Sequence, residues 1–568
     1  MESLRLLEYR GYDSAGIALI DIHGKIHVEK TTEKVESLCQ KTGNMPECMA
    51  GIGHTRWATH GEVSLRNAHP HTAGSVTLVH NGIVENYLAL MQEMAKTGRV
   101  PASDTDTEVA AMLMDCLYDG DPVVALTRAM GRIEGGNAFA VLFADRPGEI
   151  YAVSRDAPLM VMHTQDGSFL ASDAVALLRY GETMAVVPDN TVVRCTASEI
   201  RAYNLSGQPA QLRYGNACWT ASDVELAGYS HFMLKEIHEQ PQVLSRKMDF
   251  SSVPEDVLRD ATDIRIVACG SAMHAGLAVK DYMEEQTGLC VSVEIASEYV
   301  SGALRHVGKP LFVFVSQSGE TADTLLALKR AKSIGAKCIC VVNVRGSSIA
   351  RAGDYVVYTQ AGPEISVAST KAFTAQVVAL ALLARRMSGR GLSLELEYDP
   401  AALAEKALKQ ENAIRRIAED LSCAENIFYL GSGMDLALAR EGALKLKEIS
   451  YIHAEACATG ELKHGCLSLV EPAMPSVMIA TGKEGLGRSL TSAEEIRSRR
   501  GRVYLIVPED AKIPDGCCDG VIRIPTASGI SAAVPVAVCV QLLAYYCALK
   551  LGKQIDQPRN LAKSVTVI

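Results

Sequence analysis

Hydrophobic positions along this chain change rhythm partway. Before about residue 215 the apolar runs are short and broken by turns, at 16–20, 76–80, 139–144, 150–154 and 191–195, which predicts strands. A helical period over 106–117 interrupts them. The mixture predicts a strand-rich α+β domain over 1–215, and the polar stretch 216–255 reads as a connection. Beyond it, strand-like runs alternate with helical segments. The segments 264–276 and 426–438 each run strand, Gly-Ser, helix around Gly270 and Gly431. Each is followed by a second strand, turn and helix (311–332 and 477–499) and then a further strand (338–343 and 503–507). This alternation predicts two duplicated α/β domains over 256–395 and 410–550, with parallel sheets and ligands at the carboxyl ends of the strands. The tail 551–568 has no helical period and is expected to lie against another surface. The run 532–549, apolar except for Gln541, approaches the ~18 residues of a membrane span. Pro535, Gln541 and the lack of a second such run predict a buried core helix and no membrane association.

At 568 residues the chain has room for about three or four domains. Its net charge of −10 offers no broad basic field for nucleic acid, so any anion site must be local. Sixteen cysteines without a C-x-x-C pair read as reduced thiols of a cytoplasmic protein. The first residues are partly acidic, with no apolar core of the signal-peptide kind.

The strand Leu311-Phe-Val-Phe-Val315 runs into Ser316-Gln317-Ser318-Gly319-Glu320-Thr321 and then a helix over 322–332. Unpaired N–H groups of that helix start, with the hydroxyls of Ser316, Ser318 and Thr321, would hold a phosphate. The loop has no lysine, which suits a sugar phosphate better than a nucleotide. The structural alternative is N-capping by Ser318 with Glu320 in the first turn.

The segments His54-Thr-Arg56-Trp57-Ala-Thr59-His60-Gly61, His80-Asn81-Gly82-Ile83 and Asp104-Thr-Asp106-Thr-Glu108 contain what an amino-acid amide site needs. Arg56 would pair with an α-carboxylate, Asp106 with an α-ammonium, and Asn81 with the Gly82 N–H would form an oxyanion hole. Taken singly, each has a structural alternative: a surface ion pair for Arg56, a hairpin turn for Asn81-Gly82, a satisfied core histidine for His60. Glu441, Lys445 and Glu448 read singly as a solvated helical charge ladder.

These segments, with Val367-Ala-Ser369-Thr370-Lys371, Glu461-Leu-Lys-His464-Gly and the tail Asp556-Gln-Pro-Arg-Asn-Leu-Ala-Lys563-Ser-Val, resemble the glutamine–fructose-6-phosphate aminotransferases over nearly the whole chain. The resemblance implies a four-layer αββα N-terminal-nucleophile glutaminase domain, truncated here, followed by two α/β sugar-isomerase (SIS) domains with parallel sheets. It implies conversion of fructose 6-phosphate and glutamine (or ammonia) to glucosamine 6-phosphate, without cofactor or metal, by a homodimer in which His464 reaches the neighbouring subunit. Arg56, Thr59, His60, Asn81, Gly82 and Asp106 would serve glutamine, with Trp57 gating an ammonia channel. Ser271, Ser316, Gln317, Ser318, Thr321, Val367 and Ser369 would hold the sugar phosphate. Lys563 would form a Schiff base with the ketose, His464 would open the ring, Glu448 would move a proton between C1 and C2, and Lys445 would support Glu448. The chemistry fits these types: lysine attacks as the free amine, favoured between apolar Leu561-Ala562 and Val565, and a carboxylate can reach two adjacent carbons.

Three departures stand out. Ala272 replaces a serine that helps the phosphate, leaving Ser271, and Cys466 replaces a proline after His464-Gly465. The family's glutaminase begins Met-Cys-Gly, whereas this sequence begins Met1-Glu2-Ser3 and its first cysteine, Cys39, matches no nucleophile motif. As written, the chain is expected not to hydrolyse glutamine by the cysteine mechanism and to lack the first strand, exposing its neighbours' backbone. Either the start lies at an internal methionine of a longer reading frame, or the chain is a variant that uses ammonia or only isomerises. Among rival readings, a phosphoribosyl amidotransferase lacks its diphosphate loop here, and a sugar-phosphate-sensing regulator lacks a basic DNA-reading domain. A metal enzyme would rest on His69-Pro-His71 with no third ligand nearby.

Overall fold

The computed structural model describes residues 1–58, 60–217, 219–303, 308–389 and 399–566. These fall into two compact units: one holds Met1–Glu225 and the chain from Ser564, the other Leu226–Lys563.

In the first unit a seven-stranded sheet has the order Pro209–Ala210, Ile200–Asn204, Thr191–Cys195, Ile150–Arg155, Asn137–Phe143, Val76–Gly82, His71–Ala73. The period-two alternation of its central strands divides their side chains between two cores. Phe139, Val141 and Phe143 pack against the helices Asp106–Leu117 and Pro122–Met130 on one face. Ala140 and Leu142 face the other way, toward Ala18, Ile52 and Val161 of two smaller antiparallel sheets. One of these pairs Ser14–Ile20 with Ile26–Thr31 and Ala50–Arg56. Its far face covers the helix Val35–Lys41 through Ala15, Ile17 and Leu38. The result is four layers, helix, sheet, sheet, helix. The predicted strands and the helix over 106–117 form here, with ends shifted by a residue or two. The four-stranded sheet Tyr214–Asn216, Thr183–Val186, Met160–Thr164, Gly167–Ala171 has no counterpart in the reading from sequence, its strands being short and interrupted by polar turns.

The second unit contains two five-stranded sheets, parallel throughout. In the first the order is Val291–Ile295, Asp263–Ala268, Pro310–Ser316, Lys337–Val342, Tyr355–Tyr358. In the second it is His453–Ala458, Asn426–Gly431, Ser476–Ile479, Val503–Pro508, Gly520–Ile524. Both are therefore ordered 2-1-3-4-5 and reverse direction of winding between their first and third strands, where ligands of open α/β sheets sit. One continuous apolar core joins the sheets through the helices Gly270–Thr287, Lys371–Met387, Met434–Ser450 and Ala533–Lys550.

The apolar run of the last helix is long enough to cross a membrane, yet 94% of the apolar 18-residue stretch within Gly529–Lys550 is buried in protein. Its one polar residue is satisfied: Gln541 accepts a hydrogen bond from Gln240 (2.8 Å) and donates to the Thr370 carbonyl (3.2 Å). Residues 216–255, read as a connection, contain the helices Phe232–His238 and Gln240–Leu244, whose Met233, Ile237 and Leu244 enter the same core. Interleaved Lys235, Glu236, His238 and Glu239 masked that face in the sequence. The tail is also tied down: the Asp556 carboxylate accepts from the N–H groups of Phe232 and Met233, and Arg559 N–H donates to the Tyr451 hydroxyl.

Candidate functional site

The hydroxyl loop lies at the carboxyl end of Pro310–Ser316, beside the Gly270-Ser271 turn that follows Asp263–Ala268. This is the winding reversal of the first parallel sheet. Ser316 and Thr321 hydroxyls contact each other at 3.0 Å, Gly319 N–H donates to Ser316 Oγ, and Glu320 N–H donates to Ser318 Oγ. Gly319 has φ +67, and a Cβ there would fall 2.0 Å from Ser347 Oγ, so only glycine lets the loop turn here. The alternative reading of the loop as an ordinary cap does not hold. Thr321, not Ser318, is the N-cap of Ala322–Ser333, no side chain caps that helix, and the Glu320 carboxylate turns away to accept from Ser348 N–H. Gln317 is half-buried, and its carbonyl accepts from Asn343 N–H.

Ser271 is committed differently from the expectation. Its hydroxyl donates to Glu441 Oε1 (2.8 Å), while His274 Nδ1 meets Glu441 Oε2 (2.8 Å). Glu441 lies on Met434–Ser450, so this contact joins the two sheets' helices. On the same helix Lys445, fully buried, sits 2.6 Å from Glu448 and 3.6 Å from Glu441. The solvated-ladder reading thus fails, because the ladder faces inward. Burial alone would depress the Lys445 ammonium, but Glu448 and Glu441 outweigh it and hold the lysine charged. Glu441 is likewise pushed up by burial and brought below its ordinary value by Lys445 and His274.

Lys563 is held at 2.5 Å by Glu364, and their side chains are 3% and 0% exposed. Glu364 also accepts from Ser369 Oγ and from the N–H groups of Thr370 and Ala372, which folds the loop bearing Val367 and Ser369 around it. Val367 N–H donates to the Asp556 carbonyl of the tail. Behind the loop, Glu236 accepts from the N–H groups of Ile365 and Ser366. Burial and the charge of Glu364 push the Glu236 carboxyl up to about 8, whereas Lys563 more than offsets the burial of Glu364 and keeps that carboxyl low. His464 stands exposed at the end of the short helix Thr459–His464. Cys466, in place of proline, puts its Sγ 3.4 Å from Cys457 Sγ.

In the first unit a cavity of about 570 Å³ brings together Arg56, Trp57, His60, Asn81, Gly82 and Asp106. Thr59 lies outside the described residues. Arg56 donates through Nη2 to the carbonyls of His60 and Gly61, while its Nη1 is buried without a partner, an open donor for a carboxylate. The Asp106 carboxylate accepts from Val84 N–H (2.8 Å). Asn81 and Gly82 end the strand Val76–Gly82, paired to Ala138 and Asn137, and form no hairpin turn. Gly82 has φ +136, and a Cβ there would meet the Gly136 carbonyl at 2.1 Å.

Sequence spacing missed a histidine cluster, three members of which line this cavity. His69 and His71, read as an isolated loop pair, meet His54 and His80 from other strands, with His54 and His69 ring centroids 4.3 Å apart. Nitrogens of His69, His71 and His80 are engaged by Thr105, Thr107 and Asn137, while His54 Nδ1 is buried without a partner, and no group of three or more metal-type ligands is arranged to hold a metal ion among the described residues. Glu236, Glu364, His274 and Asp435 were also missed. A charged residue signals exposure until the fold shows it buried.

The comparisons with known proteins follow the same division. The description "Glutamine amidotransferase domain" matches residues 55–179 and "SIS domain" matches 257–386 and 420–551. The C-terminal domain of glucosamine-fructose-6-phosphate aminotransferase from Francisella tularensis is 38% identical, superposes with a TM-score of 0.55, and covers 59% of this chain and 100% of that one. Tagatose-6-phosphate ketose/aldose isomerase from Escherichia coli, 18% identical with a TM-score of 0.51 over 58% of this chain and 96% of that one, shares the fold. Glutamine–fructose-6-phosphate aminotransferase (isomerizing) of Clostridium acetobutylicum is 41% identical over 591 residues, covering 100% of this chain and 97% of the relative. That of Symbiobacterium thermophilum is 42% identical over 593 residues with the same coverage. With such identity sustained from end to end, this chain belongs to the glutamine–fructose-6-phosphate aminotransferase (isomerizing) family.

Proposed function

We propose that the chain makes glucosamine 6-phosphate from fructose 6-phosphate, taking nitrogen released from glutamine. One observation carries the reading: Lys563 is buried on Glu364 of the loop bearing Val367 and Ser369, so a nucleophilic amine and a sugar-facing loop form one assembly. In it the phosphate rests on Ser316, Gln317, Ser318 and Thr321, and Lys563 forms a Schiff base with the open-chain ketose. Glu448, steadied by Lys445, shuttles the proton between C1 and C2. Exposed His464 is supplied to the neighbouring subunit of a cytoplasmic homodimer. In the first unit, Arg56 takes the glutamine α-carboxylate, Asp106 the α-ammonium, and Asn81 with Gly82 N–H the oxyanion.

None of the described residues lining the cavity is a cysteine, and this favours a second reading in which free ammonia is the donor. The test is glucosamine 6-phosphate formation from fructose 6-phosphate with glutamine and, separately, with ammonium. Product from glutamine supports the first reading, and product from ammonium alone supports the second. Fructose 6-phosphate left unchanged by both donors would overturn the assignment.

A further inference from the structure

Resting on the Schiff-base reading of Lys563, we infer that Glu364 is the group that takes the Lys563 proton and returns it during imine formation. A lysine must lose a proton before it attacks a carbonyl. In most enzymes water or a mobile base can accept it, but here the two side chains are 3% and 0% exposed and in contact at 2.5 Å. Glu364 is the group on hand. Its Oε1 is fixed by the N–H groups of Thr370 and Ala372, and Oε2 is the oxygen that faces Lys563 Nζ.

The step closes on itself. The ammonium of Lys563 passes a proton to the Glu364 carboxylate, leaving amine and carboxylic acid. The amine forms a bond to C2 as the carbonyl π bond opens, and one N–H proton moves to the oxygen, giving a neutral carbinolamine. Glu364 then returns its proton to that hydroxyl. The C–O bond breaks, water leaves, and the C=N bond forms as an iminium paired with the Glu364 carboxylate. Net charge in the pocket is the same before and after, so no proton need be exchanged with solvent.

Other charges facing the pair fit this role. Glu236, on Phe232–His238, holds the loop from behind through Ile365 and Ser366, and its second oxygen is buried without a partner. Burial and Glu364 raise its carboxyl to about 8, so at neutral pH it is largely a neutral acid and leaves Glu364 as the anion. Lys371, which could otherwise compete for Glu364, is paired at 2.6 Å with Glu239. Lys445, from Met434–Ser450, feels Glu364 but is held by Glu448 and Glu441.

Trapping the imine tests this on the full chain. Fructose 6-phosphate and cyanoborohydride are added, adduct growth is followed by intact mass, and the site is located by peptide mass. Wild type is expected to gain one sugar phosphate on Lys563 at a rate flat across the neutral range, because the proton moves within the pair. Glu364→Gln keeps an acceptor for Thr370 and Ala372 and is expected to trap at least ~100-fold more slowly with fructose 6-phosphate affinity nearly unchanged; Glu364→Asp recovers part of the rate. A Glu364→Gln rate equal to wild type overturns the inference. So does a wild-type rate that climbs tenfold per pH unit, a readout that needs no variant to fold. No adduct on wild-type Lys563 overturns it too, and in that case the Schiff-base reading itself has failed.

Discussion

The two parallel sheets have the same strand order and differ at the point where their winding reverses. In the first, the crevice is bordered by the hydroxyls of Ser316, Ser318 and Thr321 and by a helix start that no side chain caps. In the second, Asp435 reaches across the same crevice and accepts from Thr481 N–H (2.9 Å) and Thr481 Oγ1 (2.7 Å). The second sheet therefore supplies its own anion. The residue at the corresponding place after the first sheet's Gly-Ser turn is His274, which is bonded to Glu441 of the other half. Duplication preserved the frame, since interleaved apolar strands and helices fix it, while one side chain at each crevice decided what the frame does. In one copy that position stitches the halves together beside an open seat, and in the other it closes the seat.

The largest effect should come from the stitch. Lys445→Met leaves Glu441 and Glu448 without their cation, and removing one partner of a buried ion pair costs about 3–5 kcal/mol. A urea midpoint lowered to that extent is expected, and an unchanged midpoint would show that Glu441 finds compensation from Ser271 and His274 alone.

The first unit supplies a second contrast, read by acid titration. Burial holds His54 and His71 down to about 3, with further depression by neighbouring His80, Lys30 and Arg56, and His69 is also held well below its ordinary value. The folded pKa values are depressed, so stability is full above the unfolded value near 6.5 and drains away as pH falls from there toward 3. The loss is on the order of 1 kcal/mol per histidine per pH unit. In the second unit Glu236 has the opposite sign: its raised carboxyl gives stability that is full below about 4.5 and is lost as pH rises toward 8. Hydrogen exchange at pH 5 and pH 8, read by segment, should show the first unit loosening in acid; equal protection at both values would contradict it.

At the open seat, taken as the proposed phosphate site, Thr321→Val would remove a donor to the phosphate and should weaken fructose 6-phosphate binding about 10–100-fold, a loss of ~1.5–3 kcal/mol. The smallest effect belongs to the closed one. Burial raises Asp435 despite the Thr481 donors, so its stabilising contribution fades as pH rises above the ordinary carboxylate range. Asp435→Asn should flatten that dependence and change stability by about 1 kcal/mol at neutral pH. Thermal melts across pH check it, and a slope as steep as wild type would remove Asp435 from the comparison.

Much of this was legible in the chain. Leu311–Val315 reads as a buried strand because both of its faces are covered, and the Ser316–Thr321 hydroxyls lie where a strand must hand over to a helix. The helix Asp106–Leu117 shows through its period and its Thr105 cap. Hidden were contacts between residues far apart in sequence and alike in being charged. Glu364 and Lys563, or Glu441 and Ser271, look like surface residues until two elements close over them. The helix Phe232–His238 hid for the same reason, and His54, on the three-stranded sheet, met His69, just before the edge strand of the seven-stranded sheet, only through tertiary packing. Asp435 gave no sign that it would bond across the second crevice to Thr481.

The comparison turns on whether only one of the two crevices accepts phosphate. Isothermal titration of fructose 6-phosphate into wild type, Thr321→Val and Thr481→Val measures it directly. One site per chain is expected in wild type, with affinity lost in Thr321→Val and retained in Thr481→Val. Two sites per chain, or binding that survives Thr321→Val and disappears in Thr481→Val, would contradict it.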